Sequence, residues 1–289
     1  MPRPLLLAST AVLLAACGGH GAAPAAGTAP SVAPAPRAAP AGDPSTVRYA
    51  AGTGRYRLEM ATHTTQEAMG QVTDIEFGTN LLVSASFATA AGNVGASFLI
   101  DSVSSTSSMP QLPTGTLDAL RGKTFRAVFS PSGAPISLAL PDTSAVSSGG
   151  GDMIFREFLP SLPAGPITAG MTWTDTTSQN PGNVPAGITL RTQSVRQHRV
   201  VGWELHDGVR ALKLATHATY TIAGGGESQG QQLQLTGTGS QSLERFVSAA
   251  GVYLGSTSAD TTNMTVNVVS VGIEVPVHQI RRAAISRLP

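Results

Sequence analysis

Alternation with a period of two runs through this chain so persistently that it dictates a β-sheet fold. Tyr56, Leu58, Met60 and Thr62 alternate with Arg57, Glu59, Ala61 and His63. Ile75, Phe77, Leu81, Val83, Ala85 and Phe87 share one parity, and Asp74, Glu76, Asn80, Ser84 and Ser86 share the other. Successive side chains of a strand point to opposite faces, so each run makes one apolar and one wet face. Gly78 falls inside the second run, where a bend or bulge is expected. Val94 to Ile100 continues the pattern after a turn at Gly92-Asn93. The expected fold is mainly β: a long curved antiparallel sheet, built as a half-barrel or a sandwich, with one or two short helices.

The remaining elements follow from punctuation. Thr116 to Gly122 reads as a short helix with a threonine cap and a terminating glycine. Phe125–Phe129 and Ile136–Leu140 form a hairpin about Ser130-Pro131-Ser132-Gly133, and a second helix is expected over Asp152–Leu159. Strands are expected at Met171–Thr176, Ile188–Leu205, Val209–Ile222, Gln231–Gln241, Leu243–Ser248, Val252–Ser258, Thr262–Val269 and Ile273–Ala283. Asp207-Gly208 is the strongest two-residue hairpin signal. Pro276 marks the last strand as an edge or a bulge, because proline donates no ladder hydrogen bond.

The N-terminus is of another kind. Arg3, an apolar run from Leu5 to Leu14, and Leu14-Ala15-Ala16-Cys17 look like a bacterial lipoprotein signal. That likeness implies cleavage before Cys17, a diacylglyceryl thioether on its sulfur and an acylated amino terminus. The competing reading is an ordinary secretory peptide with an incidental cysteine. Cys17 is the one cysteine in the sequence, so the exported fold holds neither a disulfide nor a thiolate metal site. The chain therefore divides into a signal peptide at 1–16, a lipidated Ala/Pro/Gly-rich tether at 17–45, and a β-rich domain at 46–289. The tether would span about 80 Å when extended and about 30 Å as a coil. Gly18, where an aspartate would signal inner-membrane retention under the enterobacterial sorting rule, favours the outer membrane. The expected location is the cell envelope, lipid-anchored, facing the periplasm or the surface.

Without residues 1–16, which hold Arg3 and no acid, the chain carries 17 basic and 17 acidic residues. A balanced surface with no Lys/Arg cluster offers no field to steer a nucleic acid, so none is expected as a partner. No His-Glu-x-x-His, Gly-x-Ser-x-Gly, Ser-x-x-Lys, P-loop or calcium loop occurs. The triple glycines at 149–151 and 224–226 read as turns. No catalytic, metal or cofactor residues are assigned, and covalent lipid on Cys17 is the one attached group expected. A two-residue Asp207-Gly208 turn would put His198 opposite His217, close enough to share a metal. The same register leaves them on a polar face with Arg196, Glu204 and Lys213, opposite Val201, Trp203, Leu212 and Leu214, and without a carboxylate beside them. Two solvated histidines are the expectation. Trp173, Trp203 and Tyr56 are expected in the core rather than in a ligand pocket. Asp74 and Glu76 are expected to solvate one face rather than act as an acid–base pair.

The two halves also rhyme. Ala51-Gly52 before Tyr56 matches Ala169-Gly170 before Trp173, and Tyr56 lies 77 residues before Gly133 while Trp173 lies 78 before Gly251. This spacing suggests two β-units, 46–141 and 166–289, joined by a helical bridge at 142–165; a single meander of similar hairpins is the alternative. Leu120-Arg121-Gly122-Lys123-Thr124-Phe125, Phe129-Ser130-Pro131-Ser132-Gly133, Phe158-Leu159-Pro160 and Gly170-Met171-Thr172-Trp173-Thr174-Asp175 resemble a family of bacterial exported proteins and lipoproteins, one of the domains of unknown function. That resemblance implies no activity and no site residues. Long curved strands with a helix or two also look like the half-barrels of lipoprotein carriers of the Lol type, an analogy of fold alone. The expected function is non-enzymatic: an envelope lipoprotein that binds an apolar ligand or an envelope protein. A structural lipoprotein without a cavity is the alternative, and an envelope hydrolase the third reading.

Overall fold

A computed structural model describes residues 44–109, 118–139, 155–163, 165–179, 187–228 and 230–289. Eleven strands form one open, curved antiparallel sheet. They are β1 (Gly52–Ala68), β2 (Gln71–Ala90), β3 (Asn93–Ser107), β4 (Thr124–Phe129), β5 (Pro135–Ala139), β6 (Thr172–Gln179), β7 (Ile188–His206), β8 (Val209–Ser228), β9 (Gln231–Ser248), β10 (Tyr253–Val268) and β11 (Ile273–Leu288). Their order is β5-β4-β3-β2-β1-β11-β10-β9-β8-β7-β6, so the last strand closes onto the first and the two halves fan out from that junction. One sheet rather than two stacked sheets settles the sandwich alternative. Cys17 with the signal and most of the tether, Thr116 and Asp152 lie outside the described residues. Of the two expected helices, the described residues keep only single-turn traces at Asp118 and at Phe155-Arg156.

The alternation does what it predicts. Tyr56 and Leu58 are buried while Arg55, Arg57 and Glu59 are exposed, and Phe98, Ile100, Phe125 and Phe129 line the same concave face. Segment 155–163 lies in the concavity as a plug. Phe155, Phe158, Leu159 and Leu162 join the main cluster with side chains from both halves of the sheet, among them Tyr56, Phe98, Phe125, Val200, Leu212 and Tyr253. Phe158 sits at its centre, 4.7 Å from the Phe98 ring and 5.1 Å from those of Tyr56 and Tyr253. Hydrogen bonds help to fix the plug: Tyr49 Oη donates to Pro160 O at 2.6 Å, Leu162 N to Ser132 O at 2.6 Å, and Arg245 Nη2 to Glu157 O at 3.3 Å.

Several local expectations are corrected. β9 and β10 are each continuous where the sequence suggested pairs of shorter strands. The last strand is not an edge: β11 lies between β1 and β10. Pro276 pairs with Thr265 of β10, whereas the β1 ladder ends at Gln66↔Val277. The missing N–H thus falls where β11 has a neighbour on one side. Gly78 carries no bulge; it leaves room for the Thr106 hydroxyl, which a Cβ there would meet at 2.6 Å. The bulge falls instead at Leu82/Val83. The turn after β2 is centred on Ala91-Gly92, both with positive φ. The expected turn at Ser130–Gly133 and the turn at Ser248–Gly251 share a bonding pattern, each serine N–H donating across the turn at 2.8 Å and each glycine N–H returning to the serine carbonyl at 2.9 Å.

Candidate functional site

The concave wall carries two polar clusters, one at the middle of the sheet and one near the β6 edge. Strand parity places Tyr220 of β8, Asp260 and Thr262 of β10, and Gln279 and Arg281 of β11 on the concave side, level with Thr62 and Thr64 of β1. Gly239 of β9 lies directly across from Tyr220. A Cβ there would come within 2.2 Å of the phenol ring, so glycine lets the ring lie over β9 and reach β10. Tyr220 Oη donates to Asp260 Oδ1 in a short hydrogen bond. Thr262 Oγ1 closes a triangle, 2.5 Å from the phenol oxygen and 3.4 Å from the carboxylate. Arg281 Nη2 stands 3.5 Å from Asp260 Oδ2, and Gln279 Nε2 donates to Thr64 Oγ1 at 3.1 Å.

Asp260 is only 2 % exposed. Loss of hydration outweighs the guanidinium and the two hydroxyls and pushes its pKa up to about 7. Burial, and then the neighbouring carboxylate, hold the Tyr220 phenol well above its usual range. Tyr220 therefore remains a donor and Asp260 an acceptor near its titration point. The sequence reading missed this cluster because it took the polar residues around Asp260 as a gap between two strands. An aspartate on the apolar parity of β10, with a glycine facing a tyrosine one strand away, was the available signal.

Below this belt, Ile188 and Leu190 of β7, Ile222 of β8, Leu233 and Leu235 of β9, Met264 and Val266 of β10, and Val275 and Val277 of β11 form a second apolar cluster with the Tyr220 ring. Every one of these residues comes from the sheet, and none from the plug. A groove of about 490 Å³ lies at the same level, lined mainly from the convex side by Thr236, Thr238, Asn263, Thr265, Pro276 and His278.

The second polar cluster overturns the expected histidine register. Pairing from the Asp207-Gly208 turn is regular as far as Gly202↔Lys213, where a bulge at Val201 shifts β7 by one residue. Gly202 takes a φ of 142° there, a conformation that a side chain disfavours. His198 consequently faces Thr216, and His217 faces Gln197. The histidines lie on opposite sides of the sheet: His198 is 6 % exposed on the concave side, and His217 is exposed on the convex side. Val201, expected on the apolar face, is 40 % exposed as the bulge residue. Among the described residues, no three His, Cys, Asp or Glu side chains converge as a metal site.

His198 instead bridges three strands. Nε2 lies 3.0 Å from Asp175 Oδ2 on β6, and Nδ1 lies 2.9 Å from Thr216 Oγ1 on β8. Trp173 stacks on the imidazole at 5.0 Å with the rings 15° apart. Burial lowers the histidine pKa, against the hydrogen bond and charge of Asp175. In the neutral ring one nitrogen donates and the other accepts, so Nε2–H serves Asp175 and Thr216 O–H serves Nδ1. Beside it Arg196 pairs with Glu157 of the plug at 2.6 Å. A cavity of about 590 Å³ touches Trp173, His198, Thr216, Leu243, Glu244 and His217.

An Asp–His–Thr relay has the order of a hydrolytic triad. However, Thr216 sits mid-strand between β7 and β9, both of which it pairs with, so the surrounding backbone N–H groups are spent in ladders rather than aimed at an oxyanion. The relay acts as a pin that ties β6, at the sheet margin, to β8. Tyr56 belongs to the main cluster, as expected, while Trp173 and Trp203, both partly buried, pack against it. Asp74 and Glu76 are exposed, with Asp74 3.2 Å from His63 Nε2 and 2.6 Å from Thr65 Oγ1.

No protein-family model matches the chain, and no curated protein is similar to it in sequence. Solved structures with some likeness include Neisserial surface protein A, at 7 % identity over 82 % of this chain and 99 % of that one, with a TM-score of 0.21. An outer membrane lipoprotein-sorting protein domain from Vibrio parahaemolyticus follows at 9 % identity, 82 % and 84 % coverage and a TM-score of 0.19. A DUF1329 family protein from Desulfovibrio piger gives 11 % identity, 78 % and 84 % coverage and a TM-score of 0.16. At TM-scores this low, none of these proteins lends the chain a function.

Proposed function

We propose that this protein is a lipid-anchored envelope protein that binds an apolar ligand on the lower concave wall of its sheet. The observation that carries the reading is the second apolar cluster, which among the described residues is built from β7 to β11 alone. A continuous apolar wall bounded by a few polar groups is the usual make-up of a small-molecule site. The Tyr220–Asp260–Arg281 belt supplies those groups at one margin. Attachment through diacylglycerol on Cys17 and a Pro-rich tether fits a role at the periplasmic or outer face of a membrane, with no enzymatic step.

A second reading, a structural or scaffolding lipoprotein, is favoured by the plug, since Phe155, Phe158, Leu159 and Leu162 fill the upper concavity. Native mass spectrometry separates the two. Protein carrying Cys17→Ser, purified without detergent, should retain or take up one apolar molecule, and Leu235→Asp should abolish that uptake. An empty protein that takes up no fatty acid or phospholipid would leave the structural reading. Anchoring has its own test: fatty-acid labelling should disappear in Cys17→Ser, and labelling that persists would overturn the reading of the N-terminus.

A further inference from the structure

We infer that the end of the sheet where the N-terminal chain joins it is a docking surface for an anionic lipid bilayer. This rests on the lipid-anchored reading of Cys17. The described chain starts at Pro44 and is seated at that end, with Ile167 N donating to Ser45 O at 2.6 Å and Ala50 N to Gly251 O at 3.1 Å. Pro44, the point at which the N-terminal segment joins the domain, therefore lies at this end. Arg48 lies in the joining stretch and is exposed. Arg55 and Arg57 are two apart on β1, so both project from the convex side, opposite buried Tyr56 and Leu58. Arg287, on the neighbouring end of β11, reaches Thr53 O at 3.4 Å. Acids at this end are fewer: Asp101 lies 3.8 Å from Arg55 Nε, Glu59 is exposed two residues beyond Arg57, and Asp207 is exposed in the β7–β8 turn.

The opposite end of the same strands is acidic. Glu67, Asp74, Glu76, Glu227 and Glu274 are all exposed there, with Arg191 among them. Along β1 the arginines stand about 20–40 Å from these acids, since Glu76 and Asp74 lie opposite His63 and Thr65 and Glu67 falls near the end of the strand. In a chain with a formal net charge of +1 this separation makes a dipole rather than a monopole. Beside an anionic surface a dipole turns its positive end inward, and that end is the one the tether pulls toward the membrane. Each arginine close to such a surface strengthens the contact about five-fold. The contact need only be weak, because a tether averaging about 30 Å holds the domain at high effective concentration.

The test uses the full lipidated chain in phosphatidylcholine vesicles with or without phosphatidylglycerol, carrying a dye at Thr53→Cys or at Gln71→Cys and an acceptor lipid in the membrane. Cys17 is consumed by its lipid and leaves no competing thiol. Phosphatidylglycerol should bring the Thr53 label closer to the bilayer and move the Gln71 label away. Salt should reverse both shifts as the Debye length falls from about 10 Å toward about 3 Å. The triple variant Arg48→Gln, Arg55→Gln, Arg57→Gln should lose the response while remaining vesicle-bound. Label positions that ignore phosphatidylglycerol, or an approach that survives high salt as an apolar or protein contact would, overturn the inference. Failure to incorporate into vesicles of either kind would instead count against the lipid anchor.

Discussion

Asp260 titrates in a range where its effect on stability can be given a sign and a size. In the folded protein its pKa is pushed up to about 7, whereas the ordinary value is 3.8. Between those values the folded state holds a proton that the unfolded chain has released. Stability is then full below about pH 4, declines as pH rises, and has lost this contribution above about pH 7. At about 1.4 kcal/mol per unit, the whole window is worth roughly 4 kcal/mol, of which about 2 kcal/mol falls between pH 5 and pH 7. Asp260→Asn keeps the shape and an acceptor for Tyr220 but cannot titrate. The neighbouring Tyr220 phenol, held above its usual range, keeps its proton through this window, and the two proteins differ in no other group. Urea unfolding followed by circular dichroism, run in parallel on both, therefore isolates the carboxyl. The stability difference should move by about 3 kcal/mol in favour of the variant from about pH 5 to about pH 8. Stability curves that run parallel across that range would refute the reasoning, because they would mean that Asp260 is ionised throughout or hydrated.

Two further outcomes test how the sheet is held together. Phe158→Ala removes the ring at the centre of the plug and should cost about 3–5 kcal/mol in urea unfolding, with the sheet signal intact; a loss below about 1 kcal/mol would mean the plug is not seated. His198→Ala should raise amide exchange in β6 at least about ten-fold while β1 and β11 keep their protection, since it removes the side-chain tie from Asp175 to Thr216. Unchanged β6 exchange would remove the pin.

What the sequence discloses, and where it stops, follows from the range of the interactions. Alternation is local, and it marks buried Tyr56, Leu58, Phe98 and Phe125 as surely as it marks exposed Arg57 and Glu59. Turn chemistry is local too, so Asp207-Gly208 and Ser130–Gly133 fall where their residues require. Strand neighbours are not local. Pro276 suggests an edge from its missing donor alone, yet β11 is interior and the proline merely sits beyond the end of the β1 ladder. Nothing within a strand reports where its neighbour stops.

The histidine site turns on a smaller defect of the same kind. A single extra residue at Val201 inverts every side chain of β7 below it, which carries His198 from the wet face into the wall and replaces a shared histidine pair with Asp175 and Thr216. A register counted from a turn is reliable only as far as the first bulge. The Val201-Gly202 step, a β-branched residue before a glycine a few residues from the turn end of the expected hairpin arm, is the one local hint of it. The same inversion aligns His198 with Trp173 and Arg196 with Asp175 across β6, and so gives the sheet margin its polar tie to the next two strands. One glycine-assisted bulge thereby converts a surface histidine into a structural centre.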